Sequence, residues 1–102
     1  MRKHRSQFIL CNYADNLVYI IGGYDHYEVK KCRIVERFHV RSEVWEQIED
    51  ELPVELQADH SKISACALND SVYVFDCDKI LRLTDAWTLA PSWKQIRLST
   101  II

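Results

Sequence analysis

Apolar positions along the chain fall in short runs rich in Val, Ile, Tyr and Phe, separated by turn residues roughly every ten positions, and this spacing predicts an all-β chain. Eight strands are expected. Gln7 to Tyr13 and Leu17 to Gly22 form a hairpin around Ala14-Asp15-Asn16, residues that tolerate a tight reversal. Arg33 to Val40 alternates Ile34, Glu36, Phe38 and Val40 against Val35, Arg37 and His39, and a fourth strand begins at Val44-Trp45 and continues to Ile48.

The series then repeats. Ile63 to Leu68, a turn at Asn69-Asp70 and Ser71 to Asp76 reproduce the hairpin 54 positions later, aligning Leu17-Val18-Tyr19-Ile20 with Ser71-Val72-Tyr73-Val74. Ile80 to Asp85 and Trp93 to Leu98 echo the third and fourth strands, and Trp45-Glu46-Gln47-Ile48 aligns with Trp93-Lys94-Gln95-Ile96 at an offset of 48. The difference, 54 minus 48, places six extra residues of the first copy between Gly23 and Ile34, where Tyr24 to Cys32 faces only Cys77-Asp78-Lys79 in the second. Such a difference is tolerated in a surface loop. A repeat of about 50 residues with four strands per copy is a propeller blade, because a twisted four-stranded sheet buries its faces only against a neighbouring blade.

One segment is ambiguous. Ser42 to Leu52 carries Trp45, Ile48 and Leu52 at helical spacing, with an N-cap residue ahead and Pro53 behind. The second copy favours strand, since Lys94, Ile96 and Leu98 alternate with Trp93, Gln95 and Arg97.

Several of these residues together resemble the kelch repeat. Val18-Tyr19-Ile20-Ile21-Gly22-Gly23 is similar to its strand ending in a Gly doublet, and Glu36-Arg37-Phe38-His39 followed by Trp45 is similar to its acidic, aromatic and tryptophan landmarks. The second copy is degenerate: Asp76-Cys77 replace the doublet and Ala86 stands in place of the aromatic, while Tyr73 and Trp93 persist. The resemblance implies two four-stranded antiparallel blades forming a partial β-propeller, blade 1 at residues 1–53 and blade 2 at 54–102. Gly22 and Gly23 are expected to adopt conformations closed to residues with a Cβ, and Trp45 and Trp93 to fill the space between adjacent sheets. Propellers close with about four to eight blades, so the outer faces of two are left for something else to cover, a larger assembly or self-association.

Composition narrows the functional classes. The 102 residues are 48% hydrophobic and carry a formal charge of −2, which offers no global field for nucleic acid or an anionic membrane. The basic start Arg2-Lys3-His4-Arg5 is a local candidate for RNA or acidic-surface attachment, with a solvated terminus as the plainer reading. The apolar run behind it, Phe8 to Cys11, is too short for a signal peptide, and the four cysteines match no familiar disulfide spacing, so a cytoplasmic protein with reduced thiols is expected. Glu43 to Asp59 holds seven acids and no Lys or Arg, whereas Lys30 to Arg41 holds five basic residues and one acid, and antiparallel pairing would set these charges opposite one another.

No catalytic constellation emerges. The Cys and His residues lack the close pairs of a metal site, Asp76-Cys77-Asp78 reads as a solvated turn, and consecutive Asp59-His60-Ser61 cannot bond in sequence as a triad. Two glycines preclude a Gly-rich phosphate cradle. No enzyme activity, cofactor or metal is therefore expected. The kelch resemblance implies that partner binding falls to the loop after the Gly doublet, Tyr24 to Lys31, and the connection between blades, Leu52 to His60. Candidate contacts are Tyr24, His26, Tyr27, Lys30, Lys31 and His60, a chemistry suited to a protein partner with polar or acidic segments. The alternative is a remnant of a galactose-oxidase-like propeller enzyme or a carbohydrate-binding domain whose site lay in other blades.

Overall fold

The computed structural model describes residues 5–77 and 79–97, side chains included except those of His60 and Arg97. Leu98, expected to end the eighth strand, Asp78 and the basic start Arg2-Lys3-His4 lie outside the described residues. The architecture is all-β, and the eight expected strands are present. The first four are β2 (Ile9–Tyr13), β3 (Leu17–Ile21), β6 (Val35–His39) and β7 (Val44–Gln47), and the second four are β8 (Ser64–Leu68), β9 (Ser71–Asp76), β10 (Lys79–Thr84) and β11 (Ser92–Arg97). Three two-residue strands, β1 (Arg5–Ser6), β4 (Tyr24–Asp25) and β5 (Lys30–Lys31), make a small additional sheet in the order β1-β4-β5. The main sheets are antiparallel meanders in the orders β2-β3-β6-β7 and β8-β9-β10-β11. These are two four-stranded blades of a partial propeller.

The duplication extends to the cross-strand rows. Cys11, Tyr19, Arg37 and Glu46 lie opposite one another across the first sheet, and Cys66, Tyr73, Arg82 and Lys94 do so across the second. Because side chains alternate along a strand, each row marks one face, termed here the front. Val18, Phe38 and Trp45 mark the back of the first sheet, and Val72, Leu83 and Trp93 the back of the second. The core forms where the second sheet's back meets the first sheet's front. Tyr19, Ile21 and Val35 from one side and Val72, Val74, Leu81 and Leu83 from the other are all completely buried.

Hydrogen bonds at the rim of this core tie one sheet to the turns of the other. The Tyr13 hydroxyl donates to the Asn69 carbonyl (2.9 Å) and the Tyr19 hydroxyl to the Ala86 carbonyl. Arg37 Nη1 donates to the carbonyls of Ala86 (3.0 Å) and Thr88 (2.7 Å), while its Nε donates to Glu46, its cross-strand partner. This realises the expected pairing of the basic and acidic segments. Burial pushes the Tyr19 phenol above its ordinary pKa despite the opposing hydrogen bond from Arg37, so the hydroxyl stays a donor.

A second buried ion pair fixes the edge of the first blade. Arg5, whose side chain is fully enclosed, meets Glu36 at 2.9 Å and donates to the carbonyls of Gly22 (2.8 Å), Ile34 (2.7 Å) and Ile20 (3.3 Å). Removing one member of such a pair strands the other charge, at a cost of about 3 to 5 kcal/mol. Arg5 is thus unavailable for attachment to an acidic surface.

Two expectations need correction or resolution. Residues 44–47 are strand and no helix forms: Ile48 N–H donates to the Val35 carbonyl and Leu52 N–H to the Arg33 carbonyl, so the chain continues along β6. The helical spacing arose because Ile48 and Leu52 leave the strand to enter the core between the blades. Trp93 packs against that core, but Trp45 does not fill an inter-sheet space. It lies half-buried on the back of the first sheet, tilted against Phe38 with ring centroids 4.6 Å apart. Equivalent positions of a repeat face the same way, so one tryptophan of a two-blade stack points outward.

Glu46 makes this latch sensitive to acid. Burial acts to raise its pKa, but hydrogen bonds from Arg37 and contact with His39 outweigh it and hold the carboxyl below its ordinary value. Its contribution is complete above the unfolded glutamate value of about 4.3 and lost as pH falls through the lower folded value. Thermal denaturation of wild type and Glu46→Gln between neutral and acid pH should show the wild-type midpoint falling more steeply on the acid side. Parallel curves would contradict the assignment.

Candidate recognition surface

The extra residues of the first copy fold into a hairpin, β4 and β5, that stands between β3 and β6 and pairs with β1. The Gly doublet makes its exit possible. Gly22 and Gly23 have φ of +65° and +105°, and a Cβ on Gly23 would come within 2.8 Å of the Ser6 carbonyl oxygen in β1. In the second blade Cys77 takes up a φ of 53° at the position of Gly23, and no counterpart of β1 approaches it among the described residues.

The hairpin is internally fixed. Buried Asp25 accepts hydrogen bonds through Oδ1 from the backbone of Tyr27 (2.9 Å) and Glu28 (3.1 Å), a local carboxylate turn. His26 Nε2 meets Ser6 Oγ at 2.7 Å, and its ring lies edge-on to Tyr24 at 5.2 Å. Lys30 pairs with Glu28 at 3.1 Å, and that contact raises its pKa. Lys31 reaches across to the connection between the blades, where its Nζ donates to the carbonyls of Leu56 (2.7 Å) and Gln57 (3.2 Å). At the tip, Tyr27 is 78% and Val29 70% exposed, and Val29 holds a φ of 55° that is costly for a β-branched residue.

Hairpin and connection therefore meet, with a groove on each side of Lys31. One, of about 300 Å³, is lined by Gln7, Tyr24, Lys31, Gln57 and Asp59 among others. The second, of about 290 Å³, is lined by Asp25, Glu28, Glu51 and Glu55 against Lys30, Lys31 and Arg33. Of the six candidate contacts, Tyr24 and Lys31 line the first groove and Lys30 and Lys31 the second, while His26 and Tyr27 lie on the exposed hairpin turn. His60 opens the 3-10 turn at residues 60–62, next to groove residue Asp59, and its side chain lies outside the described residues.

The least expected element is Asp76. It occupies the position of Gly22, and instead of a solvated turn it forms a completely buried anchor, accepting from the backbone N–H groups of Gln57 (2.7 Å) and Ala58 (2.8 Å). The carboxylate that replaced a glycine thereby holds the connection against the groove. Asp25 carried a signal in its Asp-x-Tyr-Glu setting, since aspartate bonds backbone N–H groups two residues on. Asp76 carried none, because its partners are 18 and 19 residues away.

Fold and surface define a class, paired antiparallel blades with the β4–β5 hairpin and the connection between the blades in contact. Residues 10–50 match the family model of the Kelch motif, which is consistent with a kelch-type blade at that position. The match spans the first blade and ends before the second. A search of the curated proteins finds no match. Among the described residues no group of three or more His, Cys, Asp or Glu is placed to hold a metal ion, and no helix is long and apolar enough to cross a membrane.

Asp76→Ala removes two charge-assisted hydrogen bonds and should destabilise the fold by on the order of 3 kcal/mol. Urea denaturation checks this, and an unchanged midpoint would show that the connection holds its place without the carboxylate.

Proposed function

We propose that the chain is a non-enzymatic protein-interaction module that engages a protein partner through the β4–β5 hairpin and the adjoining connection. Kelch repeats typically serve protein interaction, and the observation that carries the reading here is the hairpin tip: Tyr27 and Val29 stand in solvent on a turn pinned by Asp25. An exposed aromatic on a fixed turn makes a binding anchor because little conformational freedom remains to be lost on contact. Strain at an exposed position, as at Val29, is a mark of functional segments.

Tyr24, His26, Lys30, Lys31 and His60 complete the surface in this reading. Lys31 acts chiefly by bracing the hairpin on the Leu56 and Gln57 carbonyls. Lys30 offers its ammonium to an acidic partner group at the expense of its exposed pairing with Glu28, a contact worth little in water. In this reading the chain works in the cytoplasm, where its four cysteines stay thiols.

The test is affinity capture from one cell extract with wild-type chain and with a Tyr27→Ser/Val29→Ser variant, quantified by mass spectrometry. Protein recovered specifically by the wild type should fall by about tenfold or more with the variant while its circular dichroism is retained. Equal recovery, or no specific protein with either, would overturn the proposal.

A further inference from the structure

The stack leaves two faces partly open, at positions equivalent to those that form the interface at its centre; on the back of the first sheet Ile20 and Glu36 are already buried, the latter against Arg5. On the front of the second sheet stand Cys66, Leu68, Tyr73, Phe75, Ile80 and Arg82, with Leu68 59% and Phe75 39% exposed. In the first sheet the corresponding cross-strand positions are Cys11, Tyr13, Tyr19, Ile21, Val35 and Arg37, of which all lie under the second blade. On the back of the first sheet, Leu10 is 58% exposed and Val18, Phe38 and Trp45 are half-buried. Their counterparts in the second, Ala65, Val72, Leu83 and Trp93, belong to the core or pack on it.

The polar device of the interface is duplicated as well. The Arg37 guanidinium lies 6.0 Å from the Tyr19 ring centroid, and Arg82 lies 5.7 Å from that of Tyr73. Both arginines use Nε within their own sheet, Arg37 toward Glu46 and Arg82 toward Ser71 Oγ at 2.9 Å. Arg37 then spends Nη1 on the Ala86 and Thr88 carbonyls of the β10–β11 loop. Arg82 Nη1 makes no hydrogen bond to the described residues. The first blade's counterpart of that loop is the β6–β7 turn at residues 40–43.

We propose that copies of this chain associate head to tail, the front of blade 2 in one copy receiving the back of blade 1 in the next. Arg82 then takes carbonyls of the neighbour's 40–43 turn as Arg37 takes those of Ala86 and Thr88, and Leu10, Phe38 and Trp45 cover Tyr73 and Phe75. A second copy fits because the contact repeats one that this sequence already makes, and because its arginine seeks backbone carbonyls, which every copy presents. The interface is heterologous, so it closes into a ring when the rotation per copy divides a full turn.

The test is light scattering during size-exclusion chromatography over a concentration series, on wild type, Phe75→Asp (front) and Leu10→Asp (back). Wild type should exceed the mass of one chain, and each variant alone should be monomeric. An equimolar mixture of the two variants retains one intact front and one intact back, and should give a species of two chains and nothing larger. Monomeric wild type, a variant that assembles as wild type does, or a mixture that stays monomeric would each overturn the proposal. Should circular dichroism show that either variant has lost its β signal, Leu68→Lys and Asn12→Lys, both at exposed positions, replace them. Partner capture by the hairpin is read separately, so the two proposals fail independently.

Discussion

Arg37 joins the two halves of this protein. One guanidinium holds the Glu46 carboxylate within the first sheet, lies over Tyr19, and reaches two carbonyls of the second sheet's last loop. Burying a guanidinium at an apolar interface is unfavourable unless nearly every donor is used. The geometry that satisfies Arg37 therefore fixes how far the second sheet slides over the first. Around it, apolar packing supplies the driving force, since a single four-stranded sheet leaves both faces in water. Blade order, loop placement and the open outer faces all follow from this one front-to-back seating.

The proposed recognition surface depends on the same seating. The connection leaves the first sheet, buries Leu52 and Leu56 in the inter-blade core, and reaches the second sheet past Asp76. That route carries the Leu56 and Gln57 carbonyls beneath Lys31, so the hairpin is braced by a segment whose position the blade interface determines. On its other side Arg5 ties the Gly22 exit to Glu36 and Ile34. The exposed tip rests on two anchored supports, which distinguishes it from an ordinary solvated loop.

Much of the fold was legible because a repeat states its architecture twice. The strands from Leu17 and Ser71 align without a gap, and the Asn69-Asp70 turn and Gly doublet punctuate them as local chemistry requires. The extra residues of the first copy were visible as a change of offset, but their pairing with Arg5-Ser6 was not, since two-residue strands have no period. Trp45 and Trp93 read alike in sequence because direction within a repeat is shared, and only the finite number of blades separates them. Asp76 and the Ala86 and Thr88 carbonyls were silent. Long-range partners of a carboxylate, and any use of backbone oxygen, leave no trace in residue identity.

The central claim is that each sheet needs the other, seated front to back. Nuclear magnetic resonance of the labelled chain through a urea titration tests it most directly, by following the amide signals of Tyr19 and Ile21 in the first sheet and of Val72 and Val74 in the second. The seating predicts that both sets vanish at one common midpoint. One set persisting well beyond the loss of the other would contradict it.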